Sequence, residues 1–274
     1  MIDLSIIIVT YNSASYIPKL LSDIKSSKDN LKKEVIVIDN SSADNSAFIA
    51  RNHPLKPLVL TSAENVGFAR AVNQGIKNST GKFVLLLNPD SSLIGSCLQY
   101  LYDFAFQTSP LGAVVPQILN YDGKPQPSVM NFPTICNAIK HYFFYRDDCF
   151  GKYLPNKEID KVPVAVMAAF LIPRTTIDKV GLLDEKYFLY YEDVEYCRRL
   201  KKHRLPIYYL KKAKIKHAHG ASGNFKSHLA SPLAKSAVIY HGRLYSNLLN
   251  LTLFLGQKFQ KVTKLFPKKS VSYR

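Results

Sequence analysis

Four short stretches of the chain are apolar at nearly every position: "LSIIIV" (4 to 9), "EVIVID" (34 to 39), "KPLVLT" (56 to 61) and "KFVLLL" (82 to 87). Runs of strand length without polar alternation suit strands covered on both faces. Between them, helical patterns fall near 15 to 27, 44 to 52 and 67 to 78. Strands that alternate with helices predict βαβ units with right-handed crossovers, hence a Rossmann-like, mainly parallel central sheet flanked by helices, an α/β fold.

In such a sheet ligands bind beyond the carboxyl ends of the strands. Polar residues gather there. Strand one runs into Thr10, Tyr11 and Asn12, and strand two into Asp39, Asn40, Ser41 and Ser42. Strand three precedes Glu64, Asn65 and Gly67, and strand four ends on Asn88, Pro89 and Asp90. Asn, Pro, Asp and Ser also stop strands as ordinary turn residues, so loop capping by Tyr11 and Asn12 stays open. No Gly-x-Gly-x-x-Gly turn follows strand one and no Gly-x-x-x-x-Gly-Lys-Ser/Thr loop occurs, which excludes the usual dinucleotide and P-loop sites.

With 274 residues, 47% of them hydrophobic, the chain is long enough for one large α/β domain or a domain with a tail. The four cysteines show no metal-ligand spacing and no disulfide framework, and no basic-then-apolar leader precedes the first strand, so a reducing, cytoplasmic setting is expected. The net charge of +17 is unevenly spread. No Asp or Glu follows Glu195, whereas 18 of the 37 Lys and Arg do, so an anionic partner is expected for the last third of the chain.

"SIIIVTYNSASYIPKLLSDI", "VIVIDNSSADNS", "NVGFARAVNQGI", "FVLLLNPDSSL" and "GLLDEKYFLYYEDVEYCRRL" occur in the order found in inverting family 2 glycosyltransferases. Over roughly residues 3 to 222 the chain resembles that family, and most of all its bacterial rhamnosyltransferase branch. The resemblance implies a GT-A fold over 1 to 225. Within it, 1 to 95 would be the nucleotide-sugar half and 96 to 225 the acceptor and catalytic half, with a basic amphipathic tail from 226 to 274.

It also implies roles. Thr10, Tyr11, Asn12 and Asp39 would hold the nucleoside. Asn40, Asn65, Gly67, Arg70, Asn73 and Asn88 would also bind the donor, with an exposed, solvated Arg70 as the bland alternative. Asn88 and Asp90 stand where the family has its Asp-x-Asp motif, so Asp90 would hold Mg²⁺ or Mn²⁺ with the donor diphosphate. His217 matches a metal-binding histidine, with His219 as the alternative and a hydrogen-bonded strand-end histidine as the bland reading. Asp193 would be the catalytic base, with Glu192 orienting the acceptor or replacing it. First-turn acids also complement a helix dipole without any chemistry. "VPVAVMAAFLIPR" stands at the acceptor-side strand, with Met167, Ala168 and Ala169 where Ser-Gly-Ala is usual. Residues 120 to 160 are a mobile lid or a surface excursion.

The expected donor is a nucleotide sugar, dTDP-L-rhamnose first and a UDP-hexose or UDP-N-acetylhexosamine second. The expected acceptor is a lipid-linked saccharide of O-antigen or other envelope polysaccharide synthesis. The tail has no apolar stretch near the roughly 20 residues of a spanning helix. It reads as an interfacial helix on an anionic cytoplasmic leaflet, through Lys258, Lys261, Lys264, Lys268 and Lys269 with Leu251, Phe254, Leu255, Phe259 and Phe266. The competing reading is a helix packed on the catalytic domain. A nucleic-acid binder, a nucleotidylyltransferase and a catalytically dead scaffold are the rival classes. No nucleic-acid motif supports the first, and no glycine-rich basic opening supports the second.

Overall fold

The computed structural model describes residues 1–218 and 230–265, so His219, Phe266, Lys268 and Lys269, and the side chain of Lys264, lie outside the described residues. The elements run β1 (Leu4–Thr10), α1 (Ile17–Lys25), β2 (Lys33–Asp39), α2 (Ser46–Asn52), β3 (Leu58–Thr61), α3 (Phe68–Lys77), β4 (Phe83–Leu87), β5 (Ser91–Ile94) and α4 (Cys97–Gln107). They continue with β6 (Ala113–Leu119), β7 (Val129–Met130), α5 (Ile135–Phe144), β8 (Lys152–Tyr153), β9 (Ile159–Val162), β10 (Val164–Ala165), β11 (Ala169–Pro173) and α6 (Arg174–Val180). The last are α7 (Glu192–Lys202), β12 (Ile207–His217), α8 (Ala230–His241) and α9 (Arg243–Leu265).

The main sheet has the order β3-β2-β1-β4-β11-β6-β12-β5, with β9 beside β12. Its first four strands are parallel, as the apolar runs predict. Beyond β4 it is mixed: β11 is antiparallel to β4 and β6, and β12 is parallel to β6 but antiparallel to β5. The α/β architecture is therefore as expected, with parallel order confined to the nucleotide-type half and the β6–β12 pair.

The reason these strands carry no polar alternation is visible in the two cores. Ile6, Ile8 and Leu85 point to one face, against Leu20, Leu21 and Ile24 of α1 and Leu98 and Leu101 of α4. Ile7, Val84 and Leu86 point to the other, against Val72 and Ile76 of α3 and Tyr196 and Leu200 of α7. Alternate side chains thus meet helices on opposite faces, and burying each is worth about 1.5–3 kcal/mol.

The stretch 120 to 160 supplies β7, α5 and β8, and β7 and β8 join β10 in a small second sheet of order β10-β7-β8. Helix α9 packs across α5. A Cβ on Gly256 would fall 2.5 Å from Tyr142 Cβ, so only glycine allows that approach. The rings of Phe143 and Phe259 lie 5.0 Å apart, and the backbone N–H of Ile135 donates to the Tyr245 hydroxyl at 3.0 Å. The packed reading of the C-terminal helix thus holds for its inner face. Its outer face is another matter: Leu244, Leu248, Leu251, Phe254, Leu255 and Val262 are all exposed. No helix among the described residues is long and apolar enough to cross a membrane.

Candidate active site

The parallel register sets Thr10 opposite Asp39, and the Thr10 hydroxyl donates to Asp39 Oδ1 at 3.0 Å. Asp39 Oδ2 accepts the Ser42 N–H at 3.1 Å. A carboxylate offers about four lone-pair positions, so this buried Asp39 keeps acceptor capacity for another donor. Asn12 is left-handed at φ 52° and is used structurally: its N–H donates to Ser42 Oγ at 3.0 Å and its Oδ1 accepts the Ala43 N–H at 2.8 Å, tying the first turn to the second. Tyr11 beside it is half-buried.

Asn40 builds the third turn. Its Nδ2 donates to Asn65 Oδ1 at 2.8 Å and its Oδ1 accepts the Val66 N–H at 3.0 Å, while Asn65 Oδ1 also accepts the Gly67 N–H at 3.0 Å. Gly67 opens α3 at φ 85°, with the Phe188 carbonyl 2.6 Å from where a Cβ would be. The glycine is therefore required twice over, for its φ and for the close approach.

Arg70 and Asn73 share one face of α3, as their spacing predicts, and that face is occupied by the segment leading to α7. Asn73 Nδ2 donates to the Leu183 carbonyl at 2.9 Å and to Glu185 Oε1 at 3.0 Å, and its Oδ1 accepts the Leu183 N–H at 3.0 Å. Arg70 Nε donates to Glu185 Oε2 at 3.1 Å. Asn73, buried, thus serves to dock the 183–188 strap in this structure, and Arg70 is a partly exposed ion-pair partner. Sequence spacing gave the shared face and not what would cover it.

The end of β4 holds the tightest polar cluster. Antiparallel pairing sets His217 opposite Ser91, which brings its ring to Asn88 and Asp90. Asn88 Nδ2 is 3.3 Å from His217 Nε2, and Asp90 Oδ1 is 3.3 Å from the same nitrogen. His217 Nδ1 is 3.1 Å from Gln126 Oε1, and Gln126 Nε2 donates to Asn120 Oδ1 at 2.9 Å. With its amide nitrogen so engaged, Gln126 turns an acceptor to Nδ1; in the tautomer that donates there, Nε2 faces both Asn88 Nδ2 and Asp90 Oδ1.

Asp90 is 2% exposed, and its Oδ1 makes no hydrogen bond. A buried, unpartnered carboxylate oxygen beside an imidazole lone pair is a costly arrangement that a cation between them would relieve. Asp90 and His217 therefore fit a divalent metal. Among the described residues there is no group of three or more His, Cys, Asp or Glu that could hold one, so such an ion would take its remaining ligands from elsewhere.

Glu192 and Asp193 begin α7, after two consecutive left-handed tyrosines, Tyr190 and Tyr191, both at φ 68°. Glu192 is buried and its Oε2 has no hydrogen-bond partner. Asp193 is half-buried, and its Oδ1 accepts the Val194 N–H at 2.7 Å. Burial first, and then the Asp193 charge, pushes the Glu192 carboxyl well above the ordinary carboxylate range. Burial also raises Asp193, opposed by its backbone hydrogen bond and by the Lys152 ammonium across from it on β8. Dipole complementation explains acids here, but it does not explain a buried one without a partner. The third acid of the turn, Glu195, is structural: it pairs with Arg199 at 2.9 Å, whose other nitrogens donate to the Val180 and Leu182 carbonyls.

The strap joins these parts, because the Phe68 N–H at the start of α3 donates to the Phe188 carbonyl at 2.8 Å, four residues before Glu192. Met167, Ala168 and Ala169 are buried at the head of β11, and the Ala168 carbonyl accepts the Asn88 N–H at 2.9 Å. Gln126, with Asn120 behind it, is the part of this cluster that sequence reasoning missed. Its only local signal is a glutamine between two prolines.

Comparison with known proteins fits this geometry. Residues 5–181 match the family described as Glycosyl transferase family 2. The chain is 30% identical over 211 residues to the low-salt glycan biosynthesis hexosyltransferase Agl10 of Haloferax volcanii, covering 75% of this chain and 64% of that one. It is 27% identical over 248 residues to an N-acetylglucosaminyl-diphospho-decaprenol L-rhamnosyltransferase of Mycobacterium tuberculosis, covering 83% and 80%. Two solved structures share the fold. GalNAc-T7 with UDP, GalNAc and Mn²⁺ has a TM-score of 0.65 at 14% identity, over 88% of this chain and 48% of that one. The mannosyltransferase PcManGT of Pyrobaculum calidifontis with GDP-Man and Mn²⁺ has a TM-score of 0.61 at 15% identity, over 98% and 79%. The central sheet with flanking helices is thus the GT-A fold, and the chain belongs to glycosyl transferase family 2.

Proposed function

We propose that the protein is an inverting, divalent-cation-dependent glycosyltransferase that moves a sugar from a nucleotide donor to a lipid-linked saccharide of envelope polysaccharide synthesis, with L-rhamnose from dTDP-L-rhamnose as the preferred sugar. The observation that carries the reading is the buried, unpartnered Asp90 Oδ1 beside His217 at the carboxyl end of the sheet. The mycobacterial relative, an N-acetylglucosaminyl-diphospho-decaprenol L-rhamnosyltransferase, supports the choice of donor and acceptor.

In this reading Asp39, with Thr10, Tyr11 and Asn12 around it, receives the nucleoside. Asn40, Asn65 and Gly67 shape the adjoining turn, and Arg70 and Asn73 hold the strap that walls the donor site. Asp90 and His217, with Asn88 beside them, hold Mg²⁺ or Mn²⁺, which when bound supplies positive charge for the donor diphosphate. Asp193 takes the proton of the acceptor hydroxyl as its oxygen attacks the anomeric carbon. The nucleoside diphosphate leaves from the opposite face, so that carbon inverts. Glu192, buried and raised, is held protonated near neutral pH and donates a hydrogen bond that orients the acceptor. The exposed outer stripe of α9, with Lys258 and Lys261 exposed along it, supports peripheral attachment to an anionic cytoplasmic leaflet.

The test is nucleotide release from a panel of dTDP-L-rhamnose, UDP-hexoses and UDP-N-acetylhexosamines with and without Mn²⁺, in wild type, Asp90→Ala and Asp193→Asn. The expected result is turnover with dTDP-L-rhamnose that EDTA and Asp90→Ala both abolish. Asp193→Asn should keep donor affinity and lose about 10²-fold or more of transfer, the usual scale for a general base. Undiminished activity in EDTA sinks the cation assignment, and normal transfer by Asp193→Asn moves the base to Glu192.

A further inference from the structure

Tyr190 and Tyr191, immediately ahead of Glu192, take no part in the chemistry above, yet both hold a backbone region that bulky residues occupy only where their surroundings over-determine it. Part of what surrounds them comes from the far end of the chain. Ser236 Oγ on α8 donates to the Leu189 carbonyl at 2.9 Å. The Tyr191 ring lies 5.3 Å from Tyr240 and edge-on to His241 at 5.8 Å. His241 stacks in turn on Tyr245 of α9 at 4.8 Å with 15° between planes, and Arg198 of α7 covers the other tyrosine, Tyr240, at 4.3 Å.

The junction that presents these rings is itself fixed. Gly242 turns the chain at φ 80°, its N–H donates to the Val238 carbonyl at 2.8 Å, and Ser246 Oγ donates to the Ala237 carbonyl at 3.0 Å. Among the described residues His241 Nε2 is buried without a hydrogen-bond partner, and the ring rests against Tyr191, Tyr240 and Tyr245. Burial, and then the Arg198 charge, lowers its pKa, which keeps it neutral among these aromatic neighbours.

We infer that His241, with Tyr240 and Ser236, is a positioning residue: the α8–α9 junction clamps Leu189 and the left-handed Tyr190 and Tyr191 that follow it, and thereby aims Glu192 and Asp193. That these two carboxylates perform the reaction rests on the function proposed above. The clamp itself does not. It makes the C-terminal helices part of the catalytic apparatus, so a chain lacking them loses the aim of its base as well as any membrane contact.

The experiment uses the full chain as wild type, His241→Ala, His241→Phe and Ser236→Ala, read by amide hydrogen exchange and by steady-state kinetics. His241→Ala should speed exchange across residues 187 to 193 by about tenfold while β1 to β4 keep their protection. It should lower kcat by about tenfold with donor KM within about twofold, and shift the acid limb of the kcat–pH profile. His241→Phe, which keeps an aromatic plane, should restore exchange, kcat and pH profile. If His241→Ala does not fold, Ser236→Ala decides, with the same changes expected on a smaller scale. Wild-type exchange at 187 to 193 in both variants overturns the clamp, as does a kcat loss in His241→Ala that His241→Phe leaves uncorrected. A wild type that turns over no nucleotide sugar defeats the functional reading instead, and the exchange data still decide the clamp.

Discussion

Glu192 concentrates the residue-scale conflict between stability and use. Its carboxyl is buried and one oxygen lacks a partner, so its pKa in the folded chain is raised. The folded state therefore binds that proton more tightly than the unfolded chain does. Stability is fully present below the unfolded value of about 4.3 and is lost as pH rises toward the raised native value. Glu192→Gln removes the titration, and an unpartnered buried polar group costs about 1–3 kcal/mol. We expect the variant to melt higher than wild type at pH 8 and to converge with it near pH 4, while transfer falls. Thermal melts at the two pH values check this, and a variant that melts lower at pH 8 shows the carboxylate to be well solvated.

At the same scale, what the sequence disclosed follows from what one residue's neighbours supply. Asp39, Asp90 and Asp193 were legible because each closes a strand or opens a helix in a recognisable motif. Gln126 was not, because its value depends on the hairpin that returns its backbone N–H to the Ile118 carbonyl at 2.8 Å and so faces it to His217. The resemblance places Asn73 at the donor, and the partners it has in the structure, Glu185 and the Leu183 backbone, come from about 110 residues further along, beyond what its local sequence discloses.

Among the elements, β1 to β4 were readable to within two residues: β1, β2 and β4 because a strand packed by helices on both sides has to be apolar, and the edge strand β3 from its short apolar run alone. The mixed half was harder, because β7, β8 and β10 are two-residue strands with too few positions for a period. Helix α9 was read as amphipathic, but leucines lie on both its faces. The contacts of Gly256, Tyr245 and Phe259 with α5 tell the inner face from the outer one. The outer residues touch solvent, so changing them tests docking without harming the fold. Leu251→Asp with Leu255→Asp should leave the melting temperature within a degree or so, since exposed substitutions usually stay within about 0.5 kcal/mol. The same variant should lose sedimentation with anionic vesicles. A wild-type level of sedimentation assigns the stripe to some other partner.

For the whole molecule, the uneven charge is the dominant feature. Every acid lies at or before Glu195, and 18 basic residues follow it. A leaflet carrying negative lipid attracts each nearby Lys or Arg by about 1 kcal/mol, an effect confined to a Debye length of about 8 Å at physiological salt. Wild type should bind vesicles rich in anionic lipid at low salt, leave them progressively as salt rises, and ignore neutral ones. Equal sedimentation with neutral vesicles shows that the apolar stripe acts without the charge.

The ladder that sets His217 beside Ser91 also carries a consequence for synthesis. Asn88 and His217, at the site proposed for the cation, are brought together across 129 residues of chain, whereas Thr10 and Asp39 meet across 29. Domains fold in part while the ribosome is still adding residues, and long-range pairing waits for its last strand. A nascent chain with only its first hundred residues free can already close β1 on β2 and set Thr10 against Asp39. Its Asp90 is then a lone carboxylate at an unfinished edge. His217 reaches Asp90 only when β12 has emerged and zipped along β5, so under the function proposed above the half-made protein has its nucleoside turn before the residues that would hold a metal are together.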